Sequence, residues 1–312
     1  YNKALECYQK TFEIIKEVHK ENEHHPEIAN SLNNIGSIYD NNSDYDKALE
    51  YYEKAHEILK KAYADNPNHS NIATLLNRIG NVLYNKGDYD TALEYYQKSY
   101  EIFKIVYADN PNHPDIADLF DYIGSAYYKK GDYNRALEFL KKSYNIMKMI
   151  YCENPNLIKI ANFLSFIGSA YENYGNFDKA LIYYKKSSKM FKNIYGDNPN
   201  YLNMANSFSY IGSIYNMKSD YDKSLKYLKR SYEIYKNVYE DDANQFLISA
   251  CLQNIGSVYD NKGDFKQALE FYQKAYEMIQ IIYNYNQNHP DILKILHKIK
   301  IIQTKKFLTE HF

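Results

Sequence analysis

The chain has 312 residues, and 38 Lys and Arg stand against 39 Asp and Glu, a net charge of −1. That balance weighs against binding by phosphate neutralisation, which needs a basic face, and no apolar run approaches the ~18–20 residues of a membrane span. Neither nucleic acid nor a membrane is therefore an expected partner. With 11 Gly and 7 Pro the chain is too poor in turn formers for a β-rich fold, while 45% apolar and 25% charged residues suit a folded chain rather than a disordered one.

Read in chain order, the sequence is periodic. Ile-Gly recurs at Ile35-Gly36, Ile79-Gly80, Ile123-Gly124, Ile167-Gly168, Ile211-Gly212 and Ile255-Gly256, always 44 residues apart. An aromatic column follows at Tyr45, Tyr89, Tyr133, Phe177, Tyr221 and Phe265, and a small-residue column at Ala48, Ala92, Ala136, Ala180, Ser224 and Ala268. Tyr1 is the first member of the aromatic column, so the chain opens in mid-repeat. This gives a half-repeat over 1–24, full repeats over 25–68, 69–112, 113–156, 157–200, 201–244 and 245–288, and a capping helix over 289–312, all in one solenoid domain spanning 1–312.

The half-repeat reads as a helix from Tyr1 without its partner, so Ala4, Leu5 and Tyr8 are expected to expose apolar surface and to permit self-association. The first residue is not Met, and a longer parent protein is expected to supply the missing helix. The first full repeat predicts a helix from about Pro26 to Asn41 with Leu32, Ile35, Gly36 and Tyr39 on its apolar face. A second helix follows from about Tyr45 to Tyr63, with Ala48, Leu49, Tyr52, Ala55, Leu59 and Ala62 at helical spacing. Asn42-Ser43-Asp44, like Lys86-Gly87-Asp88 one repeat on, is a short polar turn, so the two helices are antiparallel neighbours. Gly36 and Ala48 are small because two backbones approach there. Pro67, Pro111, Pro155 and Pro199 mark the end of second helices, and Pro26, Pro114 and Pro290 suit a first helical position, where a missing N–H costs nothing. In the last segment Ile292, Ile295, Leu296 and Ile299 form a core face, Lys300 takes the Gly position and Gln303 the Tyr position, as a solvated cap requires. The basic run Lys294, Lys298, Lys300, Lys305 and Lys306 is read as the charged face of that cap.

Leu32-x2-Ile35-Gly36-x2-Tyr39 followed by Ala48-x3-Tyr52 resembles the tetratricopeptide repeat (TPR). The fourth full copy has Leu164, Ile167, Gly168, Tyr171, Ala180 and Tyr184; departures are mild, with Leu83 for Tyr, Leu140 and Leu228 for the aromatic, and Ser224 for Ala. The extra ten residues over the usual period of about 34, the Asn-Asn pair in the first helix and the His-Pro type loop are similar to the repeats of kinesin light chains. The resemblance implies an all-α, right-handed α-solenoid, a TPR superhelix of antiparallel helix pairs with a 44-residue period. It also implies that first helices line a concave groove that takes a protein segment.

No catalytic or nucleotide-binding motif is present, and neither an enzyme activity nor a cofactor is expected. His25, His69, His113 and His289 form a column, but successive repeats lie roughly 10 Å apart and zinc needs ligands at ~2.0–2.3 Å. They are read as helix-start residues, and no metal is expected. Cys7, Cys152 and Cys251 are odd in number and far apart, so buried reduced thiols and a cytoplasmic setting are expected.

The candidate site is a polar stripe on the first helices. At ~100° per residue, Asn30, Asn34, Ser37 and Asn41 fall opposite the core stripe. Stacking turns each position into a column. The predicted groove residues are Asn30, Asn33 and Asn34 in the first full repeat, and Asn77, Arg78 and Asn81 in the second. Asp118, Asp121, Tyr122 and Ser125 follow in the third, and Asn162, Phe166 and Ser169 in the fourth. Asn206 and Tyr210 in the fifth and Asn254 in the sixth complete the set. Asn offers a donor and an acceptor to a peptide backbone, and Tyr122, Phe166 and Tyr210 form an aromatic run that either lines a side-chain pocket or packs on neighbouring helices. Kinesin light chains use basic groove residues for acidic peptides; here only Arg78 and Lys129 are basic on that face, beside Asp118 and Asp121, so an acidic ligand is a poor match. The expected function is a non-catalytic scaffold binding a protein segment in the groove. The rival is a regulatory or sensing module of a larger protein with an N-terminal catalytic or effector domain.

Overall fold

The computed structural model of the chain describes residues 2–150, 157–196, 202–239, 245–286 and 288–311. Among them there is no strand. Two compact units divide the chain, Tyr1–Asn154 and Pro155–Phe312. The first holds α1 (Asn2–Val18), α2 (Pro26–Asn41), α3 (Tyr45–Ala62), α4 (Ser70–Lys86), α5 (Tyr89–Val106), α6 (Pro114–Lys129) and α7 (Tyr133–Ile150). The second holds α8 (Leu157–Asn173), α9 (Phe177–Tyr195), α10 (Leu202–Met217), α11 (Tyr221–Val238), α12 (Gln245–Lys262), α13 (Phe265–Ile282) and α14 (Pro290–His311). Within each unit every helix packs on the next, and first helices also touch across repeats, α4 with α6 and α10 with α8 and α12.

The starts and stops are chemical. Asp44, Asp88, Asn176, Asp220 and Asp264 cap second helices by accepting from the backbone N–H three residues on. The turn before each cap is left-handed: Gly87, Gly131, Gly175 and Gly263 have φ of 88°, 80°, 83° and 81°, and Ser43 and Ser219 take the same conformation at 60° and 59°. The histidine column lies at helix starts, as expected. His25, His69, His113 and His289 accept through Nδ1 from the N–H of Glu27, Asn71, Asp115 and Asp291. His69, His113 and His289 also stack on Tyr63, Tyr107 and Tyr283, which close the preceding helices, with ring centroids 3.7, 3.6 and 3.4 Å apart. Each stack ties a second helix to the first helix of the next repeat. Pro67 and Pro111 follow α3 and α5; Pro155 and Pro199 lie outside the described residues.

The core lies between the helices of each pair. Ile35, Tyr52, Leu59 and their counterparts are buried, as are Ala48 and Ala55. Gly36, Gly80, Gly124, Gly168 and Gly212 face the bulky residue sixteen positions on, and a Cβ at any of them would come within 2.5–2.8 Å of that side chain. Buried serines fasten one helix to its partner: Ser99, Ser187 and Ser231 donate to the carbonyls of Ala73, Ala161 and Ala205. The sixth repeat reverses the pair, with Ser249 donating to Ala275. Where the small column of the second helix carries Ser224, its hydroxyl donates to the Gly212 carbonyl at 2.7 Å.

The ends differ in part from expectation. Ala4 and Tyr8 are exposed, joined by Ile14 and Val18, but Leu5 packs with Phe12 and Ile15 against the core that α2 shares. Cys7, expected to be buried, is exposed because it projects from the other side of α1; Cys152 lies outside the described residues. In α14, Ile292, Ile295, Ile299 and Ile302 are buried, while Lys300 and Gln303 face solvent. Lys294 and Lys305 of the basic run are paired with Asp291 and Asp260.

Cys251 is buried, its Sγ 3.5 Å from the Leu228 carbonyl, and burial pushes its thiol up to about 11. A thiolate-directed alkylating agent at pH 8 is expected to label Cys7 rapidly and Cys251 only on unfolding. Peptide mapping by mass spectrometry checks this; equal labelling of both in the folded chain would contradict the packing of α12 on α11.

Candidate binding site on the first helices

Part of the polar stripe of the first helices lines cavities. In the second unit a cavity of about 290 Å³ opens between α8 and α10 over α9. Asn162, Ser165, Phe166 and Ser169 come from α8, Phe191 from α9, and Asn203, Asn206 and Tyr210 from α10. In the first unit a smaller cavity of about 190 Å³ lies between α2 and α4, with Asn30, Asn33, Asn71 and Thr74 at its walls and Leu59 beneath, the equivalents three repeats earlier of Asn162, Ser165, Asn203, Asn206 and Phe191. The two cavities share one construction: one floor residue from a second helix, and two walls from consecutive first helices.

The polar groups at the larger cavity are held in place. Tyr235 donates to Asn206 Oδ1, fixing which end of that amide points outward. Ser165 and Ser187 share a hydrogen bond at 2.7 Å below the wall, and Ser187 also donates to the Ala161 carbonyl at 2.7 Å. The Tyr210 ring, 42% exposed, stacks on Tyr184 with centroids 5.0 Å apart. Tyr184 is fully buried and donates to Glu172 at 2.6 Å. Burial, with the Glu172 carboxylate second, pushes the Tyr184 phenol far above its ordinary range, so it stays a donor. Tyr122 repeats the arrangement on Tyr96 with centroids 5.8 Å apart. The aromatic run therefore does both things open to it: Tyr122 and Tyr210 lean on buried tyrosines, and Phe166 and Tyr210 line the cavity.

The other predicted residues are placed differently. Asn34 is exposed, and Asn81 accepts from Tyr96 at 2.7 Å. Ser125 donates to Asp121 at 3.5 Å. Asn77, Arg78, Asp118 and Asn254 line neither cavity. Three of the side-chain atoms on this face, Asn33 Oδ1, Asn77 Oδ1 and Arg78 Nε, are buried without a hydrogen-bond partner in the chain. Burial raises the pKa of the half-buried Asp40, an effect offset by a hydrogen bond from Asn85 and by the charge of Arg78. Sequence reasoning missed Asn203 and Asn71, a helical turn before the stripe, and the floor residues Phe191 and Leu59, which belong to the second-helix core column.

Among the described residues no helix is long and apolar enough to cross a membrane. Tetratricopeptide-repeat models match residues 1–61, 71–149 and 203–281, and a further one matches 161–193. No curated protein matches the sequence. Among solved structures the fold is similar to BtubC (BKLC) from P. vanneervenii, at 18% identity and a TM-score of 0.61 over 78% of this chain and 94% of that one. It is similar to a kinesin light chain-type protein of nearly identical TPR-like repeats from Podosopora anserina, at 14% identity and 0.59 over 70% and 99%. It is also similar to a signal-transduction ATPase with a tetratricopeptide-repeat sensor from Pyrococcus horikoshii, at 15% and 0.65; there the match covers 91% of this chain but 44% of the other. The 44-residue period, the antiparallel pairs locked at Ile-Gly, and model matches over most of the sequence have one reading: the chain belongs to the tetratricopeptide-repeat family.

Proposed function

We propose that the chain is a cytoplasmic, non-catalytic interaction scaffold that holds an extended or helical segment of another protein against its first helices. Tetratricopeptide-repeat proteins generally mediate protein–protein interaction. The observation that carries the reading here is the cavity between α8 and α10, where the aromatic walls Phe166 and Tyr210 stand beside the amides of Asn162, Asn203 and Asn206. An apolar side chain of a ligand fits between the rings, and the amides supply donors and acceptors to its backbone. The rival, a sensing module of a larger protein, uses the same surface and differs in what is attached to it.

The test begins with panning a random-peptide library on the chain. The enriched peptide is then titrated against wild type and against Ser169→Leu, which fills the cavity from its wall. Loss of affinity of about tenfold or more is expected, since a hot-spot pocket is closed. Undiminished affinity would move the binding surface elsewhere.

A further inference from the structure

The histidine column hides a departure at its first member. In later repeats the histidine at the helix start stacks on a tyrosine: His69 on Tyr63, His113 on Tyr107, His289 on Tyr283. Two residues past each histidine stands Asn71, Asp115 or Asp291. In the first repeat two of these three positions change. His19 replaces the tyrosine and stacks on His25 with centroids 3.6 Å apart and planes 9° from parallel, and Glu27 replaces the shorter side chain. His19 Nε2 lies 2.6 Å from Glu27 Oε2, and His25 Nδ1 lies 4.0 Å from the same oxygen.

We propose that His19, His25 and Glu27 form a binding site for a divalent transition-metal ion of the zinc type. One ligand atom from each lies within 4.8 Å of the others. A tetrahedral ion with bonds of ~2.0–2.2 Å spaces its ligand atoms about 3.3–3.6 Å apart, between the 2.6 and 4.0 Å found here. Small side-chain rotations therefore suffice: the two rings tilt out of their stack, and His25 gives up a long cap bond of 3.3 Å to the Glu27 N–H. That bond already requires an unprotonated Nδ1, the form that binds a metal. Two imidazoles and one carboxylate suit zinc, with solvent completing the coordination.

The contrast within the chain strengthens the assignment. At Tyr107, burial followed by the neighbouring Asp115 pushes the phenol up to about 12, so it keeps its proton near neutral pH and is a poor match for zinc. Where Tyr107 and Tyr283 donate their hydroxyls to Asp115 and Asp291 at 2.6 and 3.0 Å, the first repeat sets an imidazole nitrogen of His19 against the Glu27 carboxylate, and imidazole is the better zinc ligand. Beside the cluster lies an open cavity of about 620 Å³ that gives solvent access to His19; Glu13, Glu17 and Glu23 line it together with Lys16 and Lys20. His24 Nδ1 is buried without a hydrogen-bond partner in the chain; it stands outside the three-atom cluster.

The experiment titrates Zn²⁺ alone into the untagged chain by calorimetry, with metal analysis after desalting and melting curves alongside. Wild type is expected to take up one equivalent, released by a chelator, and to melt higher with zinc. His19→Tyr installs the pair the chain itself uses at Tyr63 and Tyr107; it is expected to melt like zinc-free wild type and to show no zinc-dependent shift. Glu27→Gln is expected to weaken binding about tenfold or more. No uptake by wild type, or equal uptake by a folded His19→Tyr, would overturn the proposal.

Discussion

Gly168→Leu is expected to lower stability by about 1–3 kcal/mol or more, although leucine is the better helix former. A Cβ at position 168 would sit 2.8 Å from Cδ1 and Cε1 of Tyr184 and 3.1 Å from its Cγ, and a leucine adds three further carbons. Tyr184 cannot swing aside, because its ring is fully buried and its hydroxyl is tied to Glu172 at 2.6 Å. The helices α8 and α9 must part instead, which exposes the contact that holds their repeat together. Gly256→Ala is the control. Its Cβ would meet Tyr272 at 3.2 Å, a gap that a few tenths of an ångström relieve, and the gain of roughly 0.8–1 kcal/mol in helix propensity offsets that cost. Denaturant unfolding of both variants gives the comparison. Hydrogen exchange adds the spatial reading: coupling passes between neighbouring repeats, so protection is expected to fall first in α8, α9 and α10 and last in α13 and α14. Equal losses in the two variants would contradict the steric account, and a uniform loss of protection would contradict nearest-neighbour coupling.

The fold was legible because every repeat writes its punctuation in residues with one strong local preference. The first pair was expected over Pro26 to Asn41 and Tyr45 to Tyr63, and is found at Pro26–Asn41 and Tyr45–Ala62. Asp44 caps one helix, and the left-handed turn at Ser43 ends the other. The Ile-Gly column located the close approach of helices because only a missing Cβ permits it. Legibility falls where a residue's role depends on its neighbour in space. Asn162, Phe166, Ser169, Asn206 and Tyr210 could be placed on one face from angle alone, since they share that face of α8 and α10. Phe191 could not, because it comes from the core column of α9 and meets the cavity from below, between the two first helices. Cys7 misled because the number and spacing of cysteines say nothing of which side of α1 is covered. His19 escaped because the histidine column begins at His25, while the change that matters lies in the tyrosine column next to it.

Phe166→Ala is expected to weaken binding of the panned peptide by about 1–2 kcal/mol or more, close to tenfold or beyond in Kd. The ring forms one wall of the α8–α10 cavity and is half-buried, whereas Leu164 and Ile167 on the same helix carry the core contact. Removing it widens the cavity without unpacking the pair, so the melting temperature should change little. Phe191 supplies the opposite case. It lines the same cavity from below but is 1% exposed, and Phe191→Ala is expected to cost about 3–5 kcal/mol, as truncation of a buried aromatic does. The pair separates recognition from packing: one variant loses affinity at nearly constant stability, and the other loses stability first. Titration and melting curves on both variants read the two effects independently. Normal binding by Phe166→Ala would remove the central residue of the proposed site. A melting temperature as low as that of Phe191→Ala would mean that the ring serves the core, and that the amides of Asn162, Asn203 and Asn206 line a gap between helices rather than a surface for a partner.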